Sequence, residues 1–236
     1  MSAVGKIITL SSAKGGCGKS TLAVLLADYL RAATERPVAL VDCDINGHVL
    51  RLSQPAENIL QLTGVDARPQ GGELDKSYEK IIEAAERHSY VIVDLPGITS
   101  SLSFMVWAAS DLVLIPAAPS TPDARDAMRT GDALDKMAKA TKRNVPYRLV
   151  WTKLETGITP RSDTAVMDDA RERAFPTLTS FLHNRPIFRE LFITNMTPRL
   201  VDAPSVAVKK AAQEVASIGD EVLALLEGAQ NGTAAA

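Results

Sequence analysis

Lys14-Gly15-Gly16-Cys17-Gly18-Lys19-Ser20-Thr21 decides the fold. The β-branched run Gly5–Leu10 precedes it, and a helical pattern follows from Ser20 to Ala33. Three glycines let backbone N–H groups turn inward toward an anion without a Cβ in the way. The positive end of the following helix adds to that anion site. Lys19 is placed to bridge terminal phosphates and the Ser20 hydroxyl to meet Mg²⁺. Strand, glycine-rich turn, G-K-S and helix together predict a phosphate-binding loop in an α/β nucleotide-binding domain.

Outward from the loop, apolar runs alternate with helix-period stretches. Strands are expected at Gly5–Leu10, Val38–Asp42, Tyr90–Leu95, Leu112–Pro116, Tyr147–Thr152 and Leu178–His183. Helices are expected at Ser20–Ala33, Ser77–His88, Leu102–Ala109, Asp123–Thr141, Ser162–Phe175 and Ser205–Leu226. Val91-Ile92-Val93 and Leu112-Val113-Leu114-Ile115 are apolar on both faces, as strands buried between helix layers must be. The alternation predicts one α/β domain over residues 1–227: a mostly parallel twisted sheet with helices on both faces. Gln54–Glu73 reads as an irregular excursion, and 228–236 as a flexible tail.

The 236 residues are 46% hydrophobic and 23% charged, which excludes a disordered chain, a collagen-like repeat and a disulfide scaffold. No apolar run approaches the roughly 20 residues of a membrane-spanning helix, and no secretory signal is visible. Cys17 and Cys43 lack C-x-x-C spacing, so a reducing cytoplasm is expected. His48, His88 and His183 show no metal spacing and read as surface or core residues, and Trp107 and Trp151 as core. The net charge of −2 conceals an asymmetry, because residues 125–210 carry 16 Lys/Arg against 10 Asp/Glu. A basic block of this kind suits a polyanion partner.

Two acidic motifs follow the loop. Asp42-Cys43-Asp44 ends the second expected strand, and strand C-termini are where ligands bind in open α/β sheets. Ile92-Val93-Asp94-Leu95-Pro96-Gly97 ends the third, with Asp94 placed to meet an Mg²⁺-bound water and Gly97 to let the chain move.

An ordinary phosphate loop has Gly where this chain has Ala13, followed by Lys14. K-G-G-x-G-K-[ST] resembles the deviant Walker A motif of the ParA/MinD ATPases, and the resemblance spans Lys6 to about Lys210. It implies ATP and Mg²⁺ as ligands, with residues 14–21 around the nucleotide. It also implies a nucleotide-sandwich homodimer in which Lys14 reaches the partner's phosphates. By the same match Lys14, Lys19 and Asp44 are the catalytic candidates, Asp44 orienting water, while Ser20, Asp42 and Asp94 support the metal, the aspartates through water. Where the family continues D-x-D-P-Q-G, this chain has Ile45-Asn46-Gly47. Trp151-Thr152-Lys153 falls where the family often has adenine-contacting residues, and His183-Asn184-Arg185-Pro186 resembles a short arginine-bearing segment of small ParA proteins.

The chain looks like a small ParA of plasmid segregation; similar proteins serve conjugative transfer or position protein assemblies. Such proteins bind nonspecific DNA as ATP dimers, and a ParB-like or other cargo adaptor stimulates slow hydrolysis. Arg161, Arg185, Arg189, Arg199, Lys209 and Lys210 are the candidate DNA-phosphate contacts. The protein would then be cytoplasmic and nucleoid-associated. A membrane-positioning relative would need a basic terminal amphipathic helix, but Gln213–Glu227 carries Glu214, Asp220, Glu221 and Glu227 and no Lys or Arg. A metal-cluster carrier would need a cysteine pair bridging the dimer, and both cysteines lie inside nucleotide motifs. A carboxylate-activating metabolic enzyme remains an alternative.

Overall fold

The computed structural model describes residues 4–53, 60–69 and 73–233. Its sheet has six strands: β1 (Lys6–Leu10), β2 (Val38–Asp42), β3 (Thr63–Asp66), β4 (Tyr90–Asp94), β5 (Leu112–Ala117) and β6 (Tyr147–Trp151). The order is β3-β2-β4-β1-β5-β6, and every pairing is parallel. The helices are α1 (Lys19–Thr34), α2 (Leu74–Arg87), α3 (Ser101–Ala109), α4 (Thr121–Thr141), α5 (Arg161–Glu172), α6 (Pro186–Thr194) and α7 (Val206–Thr233).

Strand alternation splits the core into two layers. Ile8, Leu10, Leu40, Ile92, Leu112 and Leu114 pack with α1, α6 and α7 on one face. Ile7, Val41, Val91, Val93, Val113 and Ile115 pack with α2, α3, α4 and α5 on the other, where Trp107 is fully buried. The central strands are therefore apolar on both faces along most of their length, as a doubly covered parallel sheet requires. α1 is buried almost all round, Leu22 to Ala27 without a break, because it lies between the sheet and α7.

The structure departs from the sequence reading in four places. Thr63–Asp66, inside the stretch read as irregular, is an edge strand with Val41 opposite Val65; residues 54–59 and 70–72 lie outside the described residues. Leu178–His183 is not a strand. It meets the sheet edge through the isolated bridges Leu149 with Thr177 and Leu154 with His183 and through the Leu182 N–H on the Trp151 carbonyl. Between those points the pairing is broken by a residue distant in sequence: the Glu221 carboxylate on α7 accepts the Thr179 and Ser180 N–H groups. Helix α6 was not anticipated, although Pro186 stands at its first turn and Asn195 closes it in the left-handed region at φ 54°. α7 continues to Thr233, through part of the stretch read as a tail; 234–236 lie outside the described residues.

Candidate functional site

The loop after β1 and the C-terminal ends of β2, β4 and β6 open onto one cavity of about 590 Å³. Crossing from β1 to α1, the chain places Gly16 at φ +82° and Gly18 at φ +91°, conformations that L side chains rarely adopt. A Cβ on Gly15 or Gly16 would meet nothing within 4 Å, so the loop presents bare backbone. A Cβ on Gly97 would stand 2.8 Å from the Gly15 nitrogen, so only glycine lets the segment after β4 approach the loop this closely.

Lys19 is buried, and its Nζ donates to Ser12 Oγ at 3.2 Å and to the Lys14 carbonyl at 3.1 Å. From the opposite wall Thr152 Oγ1 donates to the Cys17 carbonyl at 2.8 Å, and Lys153 Nζ to the Gly16 carbonyl. With these carbonyls held from outside, the loop's N–H groups are left for a ligand. Thr152 and Lys153 thus line the cavity and also brace the glycine loop.

Lys14 behaves differently from Lys19. It is not among the cavity-lining residues; its half-exposed side chain pairs with Asp123 Oδ1 at 2.5 Å, in the first turn of α4. The hydrogen bond and charge of Asp123 raise the Lys14 pKa.

Asp94, at the end of β4, accepts a 2.6 Å hydrogen bond from Ser20 Oγ on Oδ2. Its Oδ1 is buried with no partner among the described residues. Burial pushes its pKa up to about 7, against the opposing pull of Ser20 and Lys19. A hydroxyl at the first turn of the helix, backed by a buried carboxylate with an unspent oxygen, fits Mg²⁺ held by phosphate, hydroxyl and water. Among the described residues no three His, Cys, Asp or Glu side chains form an all-protein metal cage.

The two carboxylates of the D-x-D motif separate. Asp44 lines the cavity, its Oδ1 accepting from the Asn46 N–H at 3.0 Å and Nδ2 at 2.8 Å. Asp42 is fully buried, with Oδ1 accepting from the Asp44 N–H and Oδ2 from those of Val49 and Leu50. Burial raises its pKa while those amides lower it. Asp42 therefore shapes the loop that carries Asp44, and Asp94 is the carboxylate beside Ser20.

Histidines 48 and 183, read as ordinary surface or core residues, both line the cavity, as do Asn184, Arg185, Phe188 and Arg189. Of the six cations offered for DNA, two are taken internally. Arg185 pairs with Glu214 and is nearly buried, and Arg199 pairs with the buried Asp28 on α1. Arg189 stands at the cavity beside the glycine loop, while Arg161, Lys209 and Lys210 are exposed. Among the described residues no helix is long and apolar enough to cross a membrane.

Comparison with known proteins agrees with this geometry. A family model described as VirC1 protein matches residues 5–228. Protein ParA of Rhizobium radiobacter is 27% identical over 190 residues, covering 79% of this chain and 82% of that protein. Maintenance of carboxysome distribution protein A of Halothiobacillus neapolitanus is 27% identical over 224 residues, 92% of this chain and 95% of its own. The septum site-determining protein MinD of Pyrococcus horikoshii, complexed with Mg-ADP, shares the fold with a TM-score of 0.65 at 19% identity, over 92% of this chain and 95% of the other.

Proposed function

Because this chain belongs to the VirC1 protein family and is a ParA/MinD-type ATPase, we propose that it binds ATP with Mg²⁺, closes into a homodimer around the nucleotides, and holds nonspecific DNA while ATP persists. One observation carries the reading: the loop has two lysines, and only Lys19 serves its own cavity. Lys14 lies outside it on Asp123, its half-exposed ammonium positioned to exchange that carboxylate for phosphates brought by a second copy. A cation supplied across an interface offsets charge on a triphosphate that two subunits enclose.

Within one subunit, residues 15–21 hold the phosphates, and Ser20 with Asp94 holds the Mg²⁺ side. When bound, the metal neutralises charge on the phosphate oxygens. Asp44, at the cavity wall, orients the attacking water. Hydrolysis is slow until a partner completes the site, so ATP acts as a timer for DNA association. The names of the ParA and carboxysome-distribution relatives support a cargo that is partitioned or positioned, a plasmid or a protein assembly.

The test is light scattering after size exclusion, with ATP, ADP or no nucleotide, on the wild type and Lys14→Gln. A dimer is expected with ATP alone, and Lys14→Gln is expected to bind ATP yet stay monomeric. A variant that dimerises fully would remove Lys14 from the mechanism. A wild type monomeric in every state would overturn the dimer reading.

A further inference from the structure

With phosphates at the loop, the nucleoside must occupy the remaining walls of the cavity, and one of these is the extended segment 182–185. That segment forms no continuous ladder with the sheet; its backbone is tied to the end of β6 by the Leu182 N–H on the Trp151 carbonyl, the Leu154 N–H on the Leu182 carbonyl and the Asn184 N–H on the Leu154 carbonyl. Those bonds set the course of the backbone, but recognition also needs a fixed orientation of the side chains it carries.

What fixes it is one carboxylate from another element. Glu214, on α7, accepts the His183 N–H on Oε2 at 3.1 Å. On Oε1 it meets His183 Nδ1 at 2.6 Å and accepts Arg185 Nε at 2.9 Å and Nη2 at 2.5 Å. The Glu214 and Arg185 side chains are only 13% and 11% exposed. Burial raises the Glu214 pKa, but the donors from Arg185 and His183 outweigh it and hold the carboxyl below its ordinary value. Charge-assisted bonds converging in a partly dry setting are the strong kind.

The placement is as informative as the bonds. His183 and Arg185 line both the nucleotide cavity and a second cavity of about 610 Å³ behind the segment. Glu214 lines the second cavity and not the first, so it grips the wall from behind.

We propose that Glu214 is a positioning residue for nucleotide binding: from α7 it fixes His183 and Arg185 as the nucleoside wall and sets affinity for that part of ATP, while the loop at 14–21 holds the phosphates. The proposal rests on the reading of the cavity as an ATP site, and it ties α7 to that site through four contacts on one side chain.

Calorimetric titration of the wild type, Glu214→Gln and Lys19→Ala with Mg-ATP and with Mg-tripolyphosphate tests it, with thermal melts to confirm folding. Glu214→Gln is expected to weaken ATP about tenfold or more, as losing hydrogen bonds to a charged group does. Its tripolyphosphate affinity should stay within about twofold, since the phosphate loop is untouched. Lys19→Ala should lose both ligands. Should Glu214→Gln fail to fold, Arg185→Lys, which keeps the charge but breaks the two-point contact, carries the same comparison. Equal ATP affinity in variant and wild type, or parallel loss of both ligands from a folded variant, overturns the proposal and leaves the ATP site standing. A wild type that binds neither ligand overturns the ATP site itself, and the proposal with it.

Discussion

Asp94 carries opposing demands on one carboxyl group. It is buried where it ends β4 beneath the loop, and under the proposed function it must be charged to serve the Mg²⁺ side. Burial wins in the nucleotide-free protein and lifts its pKa to about 7. A carboxyl whose folded pKa exceeds its unfolded value of about 4 stabilises the fold fully below the unfolded value, and loses that contribution as pH rises through about 7. Asp94→Asn never ionises. The nucleotide-free variant is therefore expected to gain on the wild type as pH rises from about 5 to 8, by roughly 2–4 °C in Tm for each kcal/mol. Melting curves across that range check it, and a gap that does not widen with pH would show that Asp94 ionises freely in the fold. Glu214 has the opposite sign. Its lowered pKa gives a contribution present above the ordinary carboxylate range and lost as pH falls through the folded value.

At the scale of elements, internal ion pairs decide what a basic residue can do. Arg199, in the 3-10 turn Pro198–Leu200, donates Nη2 to Asp28 Oδ1 at 2.5 Å, and Thr197 Oγ1 donates to Asp28 Oδ2 at 2.7 Å. Asp28 is 4% exposed and would be left with a hydroxyl as its side-chain donor. Orphaning a buried charge costs about 3–5 kcal/mol, and roughly 1–3 is expected here because the Arg199 side chain is itself 44% exposed to water. Arg199→Ala should accordingly lower Tm by several degrees; a melt unchanged within a degree would mean the pair contributes nothing. The same pairing explains what the sequence could and could not disclose. β4 and β5 were legible because an unbroken apolar run has no other stable place than between two helix layers. The phosphate loop was legible because its residue types are dictated by local backbone chemistry. Leu178–His183 reads as a short strand with apolar residues at both ends, yet a glutamate more than forty residues later takes the N–H groups of Thr179 and Ser180 at its centre. Arg185 and Arg199 look free in sequence for the same reason: their partners Glu214 and Asp28 are distant along the chain. Thr63-Gly64-Val65-Asp66 has too little β-branched character to announce an edge strand that pairs on one side.

For the whole molecule, these pairings narrow the surface that can meet DNA. Arg161 opens α5, and Lys209 and Lys210 lie in the first turns of α7, all three exposed. Glu214 stands one turn beyond Lys210 on the same helix, facing inward to Arg185 rather than out toward a polyanion. The acidic residues of α7 therefore do not all oppose its basic start, although the net charge of residues 211–236 is negative. Phosphate contacts carry no sequence code and release counterions, so each contact contributes about 0.9 to the slope of log affinity against log salt. Replacing both Lys209 and Lys210 by Ala should weaken association with a random duplex in the presence of ATP and reduce that slope by about 2. Arg199→Ala, a stability variant, should leave the slope unchanged, as should Arg185→Lys once ATP is saturating. Titrations at several salt concentrations, with ATP, ADP and no nucleotide, separate these cases. A double variant with the wild-type slope would move the DNA surface away from the start of α7. Binding equal in all nucleotide states would break the link between the ATP cavity and DNA, since a timer requires that the ATP-bound form hold DNA more tightly than the others.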